Sequence, residues 1–222
     1  MPLLLTRSLH SAMEIASFYA VNQWLGRPTT DRFRRLIREF VGDTASHRVL
    51  DLGCGIGNYR DLFAGEYVGV DINPDYIAYA RARFSDRFEV MDAAQLSFVG
   101  ETFDDVVTIA TTHHLSDEQF VEMVRGTLGF LRPGGALHII DAILPVSPNV
   151  MFKTFWFRMD RGRYARRIRE MTQLVARAGR VVVQQILTGP LHDTAYIRVE
   201  PLARQPGARE PGRSTETPNA IR

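Results

Sequence analysis

The segment Val49-Leu50-Asp51-Leu52-Gly53-Cys54-Gly55-Ile56-Gly57-Asn58 gathers residue types that can hold a nucleotide-like ligand. A short apolar run leads into three glycines at alternate positions, and glycine has no Cβ to keep a ligand off the backbone. A dinucleotide site wants Gly-x-Gly-x-x-Gly, which needs glycine at 58, where this chain has Asn58. Asp51 stands at the mouth of the loop, where a carboxylate repels a pyrophosphate and attracts a cation. Twenty residues on, Tyr67-Val68-Gly69-Val70 ends in Asp71, placed to accept from both hydroxyls of a ribose. A third acid, Asp92, ends the next apolar run. Its carboxylate can accept from the exocyclic amine of an adenine while the N–H of Ala93 donates to the ring. Three acids at the ends of successive parallel strands line the crevice where such sheets bind ligands, and they suit a nucleoside that carries positive charge.

Two histidines, His113 and His114, follow the fourth apolar run. The near-neutral pKa of histidine suits a general base, so either is a candidate to take a proton from an acceptor hydroxyl. The competing reading is that they only orient the loop ahead of a helix. Cys54 reads as a small loop-filling residue rather than a nucleophile, because no base adjoins it in sequence.

Strands and helices must alternate to position these groups. The strands expected are Arg48–Leu52, Tyr67–Val70, Phe88–Met91, Val106–Ala110 and Ala136–Ile140, with helices near 58–64, 74–84 and 117–131 between them. Asn73-Pro74 supplies a cap and a proline at the first helical position, and Ser116 with Gln119 forms a capping box. Upstream, 12–24 and 30–41 read as helices. Downstream, a helix near 164–178 stops at Gly179, and Val181–Leu187 and Ala195–Glu200 flank Gly189-Pro190 as an antiparallel hairpin. Alternation of this kind predicts an α/β fold: a doubly wound, Rossmann-like sheet of seven strands, the last antiparallel, with helices on both faces.

On these motifs the chain resembles the class I S-adenosylmethionine-dependent methyltransferases, in particular the small-molecule branch that includes ubiquinone and menaquinone methyltransferases. The resemblance rests on Val49–Gly57, Val70-Asp71, Met91-Asp92-Ala93, Phe103–Val107 with Thr111–Leu115, and Leu131–Gly135, so it covers about residues 45–142. It implies that S-adenosyl-L-methionine is the cofactor. Gly53, Gly55 and Gly57 would pack against it, Asp51 would face its cationic end, Asp71 with Ile72 would meet the ribose side, Asp92 with Ala93 the adenine, and Thr111 the methionine part. The function expected is methyl transfer to a small apolar or anionic metabolite at oxygen. The alternatives are carbon methylation of a quinone- or lipid-like acceptor, an NAD(P)-dependent oxidoreductase, or a non-catalytic cofactor-binding protein.

Composition sets the outer limits. The 222 residues carry a net charge of +2 and 23% charged side chains, which does not by itself suggest a nucleic-acid partner. The residues after the fourth strand are Thr111-Thr112-His113-His114, not the Asp/Asn-Pro-Pro-aromatic tetrapeptide of nucleic-acid amino-methyltransferases, so no nucleic-acid partner is expected. The single Cys54 excludes an internal disulfide and a multi-thiolate zinc cluster, and no metal is expected. The apolar opening Met1–Leu5 lacks a basic leader and a long apolar centre, so the expected location is the cytoplasm. In domains, 1–42 is expected to supply helices covering the acceptor side, and 43–202 the cofactor-binding domain. Within the latter 143–165 would cover the acceptor, and after it 203–222 would be a disordered tail. Residues 151–169 set Phe152, Phe155, Trp156 and Phe157 beside Arg158, Arg161, Arg163, Arg166, Arg167 and Arg169. Such a stretch suits an apolar, anionic acceptor or peripheral contact with a membrane surface, and otherwise reads as core aromatics followed by a solvated helix face.

Overall fold

The computed structural model describes residues 30–98, 100–146, 163–189 and 192–202. The expected helix 12–24, most of the aromatic and arginine-rich stretch and the tail 203–222 lie outside the described residues.

Apolar runs rich in β-branched residues form one seven-stranded sheet: β1 (Arg48–Leu52), β2 (Glu66–Asp71), β3 (Arg87–Val90), β4 (Phe103–Ile109), β5 (Leu131–Ile143), β6 (Arg180–Leu187) and β7 (Asp193–Glu200). The spatial order is β3-β2-β1-β4-β5-β7-β6. Strands β1 to β5 pair in parallel, whereas β7 runs antiparallel to both β5 and β6. From β1 the chain builds outward to β3 and then returns to lay β4 on the other side. The carboxyl ends of β1 and β4 therefore flank the switch point where this fold binds ligands.

Each central strand is apolar on both faces because helices cover both. On one face α1, comprising helix 30–36 and the π-helical turn Ile37–Val41, and α2 (Pro74–Arg83) press Phe33, Leu36, Ile37, Ile77 and Ala80 onto Val49, Tyr67, Val107, Ile140 and Tyr196. On the other, α3 (Asp117–Gly129) and α4 (Ile168–Val175) bring Phe120, Met123, Val124, Met171 and Val175 onto Leu50, Leu52, Val106, Leu137 and Ile197. Burial of each such side chain contributes roughly 1.5–3 kcal/mol. The expected caps are in place. Asn73 accepts from the Asp75 N–H ahead of Pro74, and Ser116 and Gln119 cap each other's backbone.

A line of polar groups crosses the first of these faces. His47 Nδ1 donates to Asp105 Oδ2 at 2.5 Å, His138 Nε2 lies 3.0 Å from Asp105 Oδ1, and His138 Nδ1 lies 2.9 Å from the Tyr196 hydroxyl. Phe40 stacks on Tyr196 with ring centroids 4.4 Å apart.

Beyond shifts of up to three residues at other element ends, the elements differ from the sequence expectation in three places. The helix expected over 58–64 is a three-residue 3-10 turn, Arg60–Leu62, held by the Arg60 guanidinium on Asp86. Strand β5 begins at Leu131 rather than Ala136, because Phe103 pairs with Leu131 before Pro133 and Gly134 bulge out of register. The helix expected over 164–178 is regular only over Ile168–Val175, since 164–167 is spent on contacts to the loop after β4.

Candidate active site

The loop after β1 turns back over the sheet because all three of its glycines adopt positive φ, 73° at Gly53, 56° at Gly55 and 79° at Gly57. The N–H groups of Gly53 and Cys54 both donate to the Val70 carbonyl, at 2.8 and 3.0 Å, which seats the loop on β2. A Cβ on Gly53 would lie 2.3 Å from Thr111 Oγ1, so glycine there is what lets the end of β4 approach the loop.

Asp71 organises this loop. Its Oδ2 accepts the Gly55 N–H at 2.9 Å and its Oδ1 accepts the Asn73 N–H at 2.8 Å. Beside it Ile72 is 67% exposed, an apolar side chain turned out to solvent. Asp92 and Ala93 follow β3, which the Met91 N–H fastens to the Asp71 carbonyl. Asp92 Oδ1 accepts the Ala94 N–H at 2.9 Å, and Ala93 is buried. The structure thus brings Asp51, Gly53, Gly55, Gly57, Asp71, Ile72, Asp92, Ala93 and Thr111 to one end of the sheet.

Asp51 is wholly buried, and the Tyr67 hydroxyl donates to its Oδ2 at 2.7 Å while Oδ1 has no hydrogen-bond partner among the described residues. Burial pushes its carboxyl up to about 7, Asp71 adds to the rise and Tyr67 opposes it. Burial, then Asp51 and Asp71, also push the Cys54 thiol far above its ordinary value, so it carries no thiolate chemistry.

The loop after β4 carries the histidines. Ala110 holds φ 52°, unusual for a residue with a Cβ, with its N–H on the Ile140 carbonyl. The 3-10 turn Thr112–His114 follows. His113 is buried, and its Nδ1 lies 2.7 Å from Asp141 Oδ1 near the end of β5. The same carboxylate accepts the His113 N–H at 3.1 Å and the Thr112 hydroxyl. Burial raises the Asp141 carboxyl, but His113 and the other donors outweigh it and hold the group below its ordinary value. His114 is exposed, its ring 4.1 Å from that of His113.

Asp141, the partner of His113, is not among the residues that the sequence singles out. An acid at the end of the fifth strand, beside the fourth, was the available signal. Among the described residues no group of three or more His, Cys, Asp or Glu is placed to hold a metal. Arg166 departs from the expected arginine cluster. It belongs to no surface anion cluster, being buried against the turn 112–115, whereas Arg163, Arg167 and Arg169 are exposed.

Residues 49–135 match the family model described as a methyltransferase domain. Among curated relatives, 27-O-demethylrifamycin SV methyltransferase of Amycolatopsis mediterranei (strain S699) is 33% identical over 130 residues, 54% of this chain and 46% of that protein. The ubiquinone/menaquinone biosynthesis C-methyltransferase UbiE of Cellvibrio japonicus is 25% identical over 186 residues, 76% of this chain and 74% of that protein. Among solved structures, N-methyltransferase NodS of Bradyrhizobium japonicum WM9, in complex with S-adenosyl-L-homocysteine, shares the fold with a TM-score of 0.60 at 19% identity, over 79% of this chain and 86% of that one. The chain spans less than half the length of the first curated relatives it matches, 44% and 46%. Residues 49–135 are thus similar to a methyltransferase domain, and the fold is one that NodS shares.

Proposed function

We propose that the chain transfers a methyl group from S-adenosyl-L-methionine to the hydroxyl of a small apolar or anionic metabolite, with His113 as the general base. The observation that carries this reading is the His113–Asp141 pair at the switch point of the sheet.

The residues present fit the cofactor. The glycine loop offers bare backbone, Asp71 offers a carboxylate, Ile72 offers an exposed apolar side chain, and buried Asp51 keeps one oxygen for a cationic partner. Gly53, Gly55 and Gly57 would admit the methionine part, Asp71 with Ile72 the ribose side, and Asp92 with Ala93 the adenine. When bound, S-adenosyl-L-methionine supplies a methyl group on a sulfonium, already activated toward a nucleophile.

The chain's own task is to align the acceptor and remove its proton, and alignment alone is worth roughly 7–11 kcal/mol in well-oriented reactions. Asp141 stays ionised and accepts a hydrogen bond from the Nδ1–H of His113, which favours the ring tautomer with its lone pair on Nε2. That nitrogen can accept the hydroxyl proton as the oxygen attacks, and Asp141 then steadies the imidazolium. The relative named for methylating 27-O-demethylrifamycin SV favours oxygen as the acceptor atom. The longer alignment with UbiE favours a second reading, carbon methylation of a quinone-like ring, which asks less of a base.

Calorimetric titration with S-adenosylhomocysteine, with NAD and NADP as controls, tests the cofactor. Micromolar binding that Asp71→Ala abolishes is expected, and binding of NAD or NADP instead would overturn the reading. Transfer of labelled methyl across a panel of hydroxyl-bearing and quinone-like acceptors tests the base. Turnover of hydroxyl acceptors should fall at least about 100-fold in His113→Ala, in line with general-base catalysis. Unchanged turnover would remove His113 from that role.

A further inference from the structure

The turn that carries His113 is held from two sides. Its donors face Asp141, which accepts hydrogen bonds from the Thr112 hydroxyl, the His113 N–H and the His113 Nδ1–H. Its carbonyls face residues 164–166. The Tyr164 N–H donates to the His113 carbonyl at 3.0 Å, and the Arg166 guanidinium donates from Nη1 to the Thr112 carbonyl at 2.9 Å and from Nη2 to the Leu115 carbonyl at 2.6 Å.

Arg166 reaches further still. Its Nε donates to Asp117 at 2.8 Å, and its guanidinium lies over the Phe120 ring at 5.0 Å, so it also grips the start of α3. Its own carbonyl accepts the Leu144 N–H at 2.8 Å, three residues beyond Asp141. One residue is therefore bonded to the turn bearing the histidine and to the chain leaving the carboxylate. This is a costly way to fill space, because a guanidinium 6% exposed has given up its water. An apolar side chain of similar volume would pack without that cost, so the fork is explained by what its donors hold in place.

We propose that Arg166 is the positioning residue for the proposed base. It fixes the turn 112–115 so that the His113 imidazole stays on Asp141 with its lone pair on Nε2. The inference rests on the reading of His113 given above. Arg166 touches neither acceptor nor cofactor in this role and acts only through the turn.

The test needs no acceptor. Nitrogen-15 spectra of ring-labelled histidine report the tautomer of His113 and the exchange rate of its Nδ1 proton, in wild type, Arg166→Met and Arg166→Lys. Wild type should show a slowly exchanging Nδ1 proton. Arg166→Met should speed its exchange about tenfold or more and mix the tautomers, as charge-assisted hydrogen bonds holding the turn are lost. Arg166→Lys keeps the charge but cannot reach both carbonyls, so it should fall between the two and carries the test if Arg166→Met does not fold. S-adenosylhomocysteine binding should stay within about threefold in both variants, since the glycine loop is untouched. Wild-type exchange and tautomer in a folded variant would overturn the inference and leave the base reading standing. Absence of the Nδ1-protonated tautomer in wild type would overturn the base reading itself.

Discussion

Tyr67 of β2 donates its hydroxyl to Asp51 of the adjacent strand β1 at 2.7 Å, inside the core that α1 covers. A carboxyl so placed is shut off from bulk solvent, and Tyr67 is the donor that offsets its burial. With the group pushed up to about 7, the folded chain holds a proton that the unfolded chain releases near pH 3.9. Its stabilising contribution is complete below the unfolded value and is lost as pH rises through the folded one. Asp51→Asn abolishes that dependence. Urea unfolding at pH 5 and pH 8.5 should show wild type losing on the order of 2–3 kcal/mol relative to Asp51→Asn. Parallel pH profiles would mean that the carboxyl is already ionised when folded.

Gly53→Ala should be costly for two separable reasons. The new Cβ would lie 2.3 Å from Thr111 Oγ1 and 2.5 Å from its Cγ2, and φ is 73°. The expected loss is about 2–4 kcal/mol by urea unfolding, from overpacking and left-handed backbone together. Adding Thr111→Ala should return the overpacking part and leave about 1 kcal/mol. No recovery in the double variant would place the whole cost in the backbone.

Ile72→Ser separates binding from folding. The side chain is 67% exposed, so stability should change by less than about 0.5 kcal/mol. S-adenosylhomocysteine affinity should nonetheless weaken about tenfold, the value of one apolar side chain covered by a ligand. Unchanged calorimetric affinity would take Ile72 out of the cofactor site.

The polar line through Asp105 gives the opposite pH dependence to Asp51. Burial raises the Asp105 carboxyl, but His138 and His47 outweigh it and hold the group below its ordinary value. Stability from a depressed carboxyl is present above the unfolded value and is lost as pH falls through the folded one. Asp105→Asn should cost about 3 kcal/mol at pH 7, the price of breaking a buried pair. The gap between variant and wild type should narrow toward pH 3 in urea midpoints, and a gap constant with pH would show that charge is not what the pairing uses.

Local signals carried the sheet, the glycine loop and the caps. The run Val49–Leu52 before three glycines, Asn73-Pro74, and Ser116 with Gln119 each act within a few residues, and each is where the sequence places it. The pairs made at long range were not legible. His113 meets Asp141 across 28 residues, and Arg166 meets Thr112 across 54. No periodicity distinguishes Arg166 from its exposed neighbour Arg167, because what buries it is the turn 112–115 and not its own segment. The sequence starts strand β5 five residues late for a related reason. Pro133-Gly134-Gly135 signals a turn, and only pairing of Leu131 with Phe103 draws it into the sheet.

The strand order also fixes the sequence of events as the chain leaves the ribosome. Strand β6 emerges before β7 but touches the sheet only through it, since β7 lies between β5 and β6. Until residues 193–200 are made, β5 presents an unpaired edge and β6 has no partner in the sheet. The glycine loop, β1, β2 and β4 can already stand together at that stage, while β5 and the Asp141 it carries wait for their last neighbour. A nascent chain stalled between β6 and β7 thus offers a strand edge to other chains, and that interval is when a holding chaperone would be of most use.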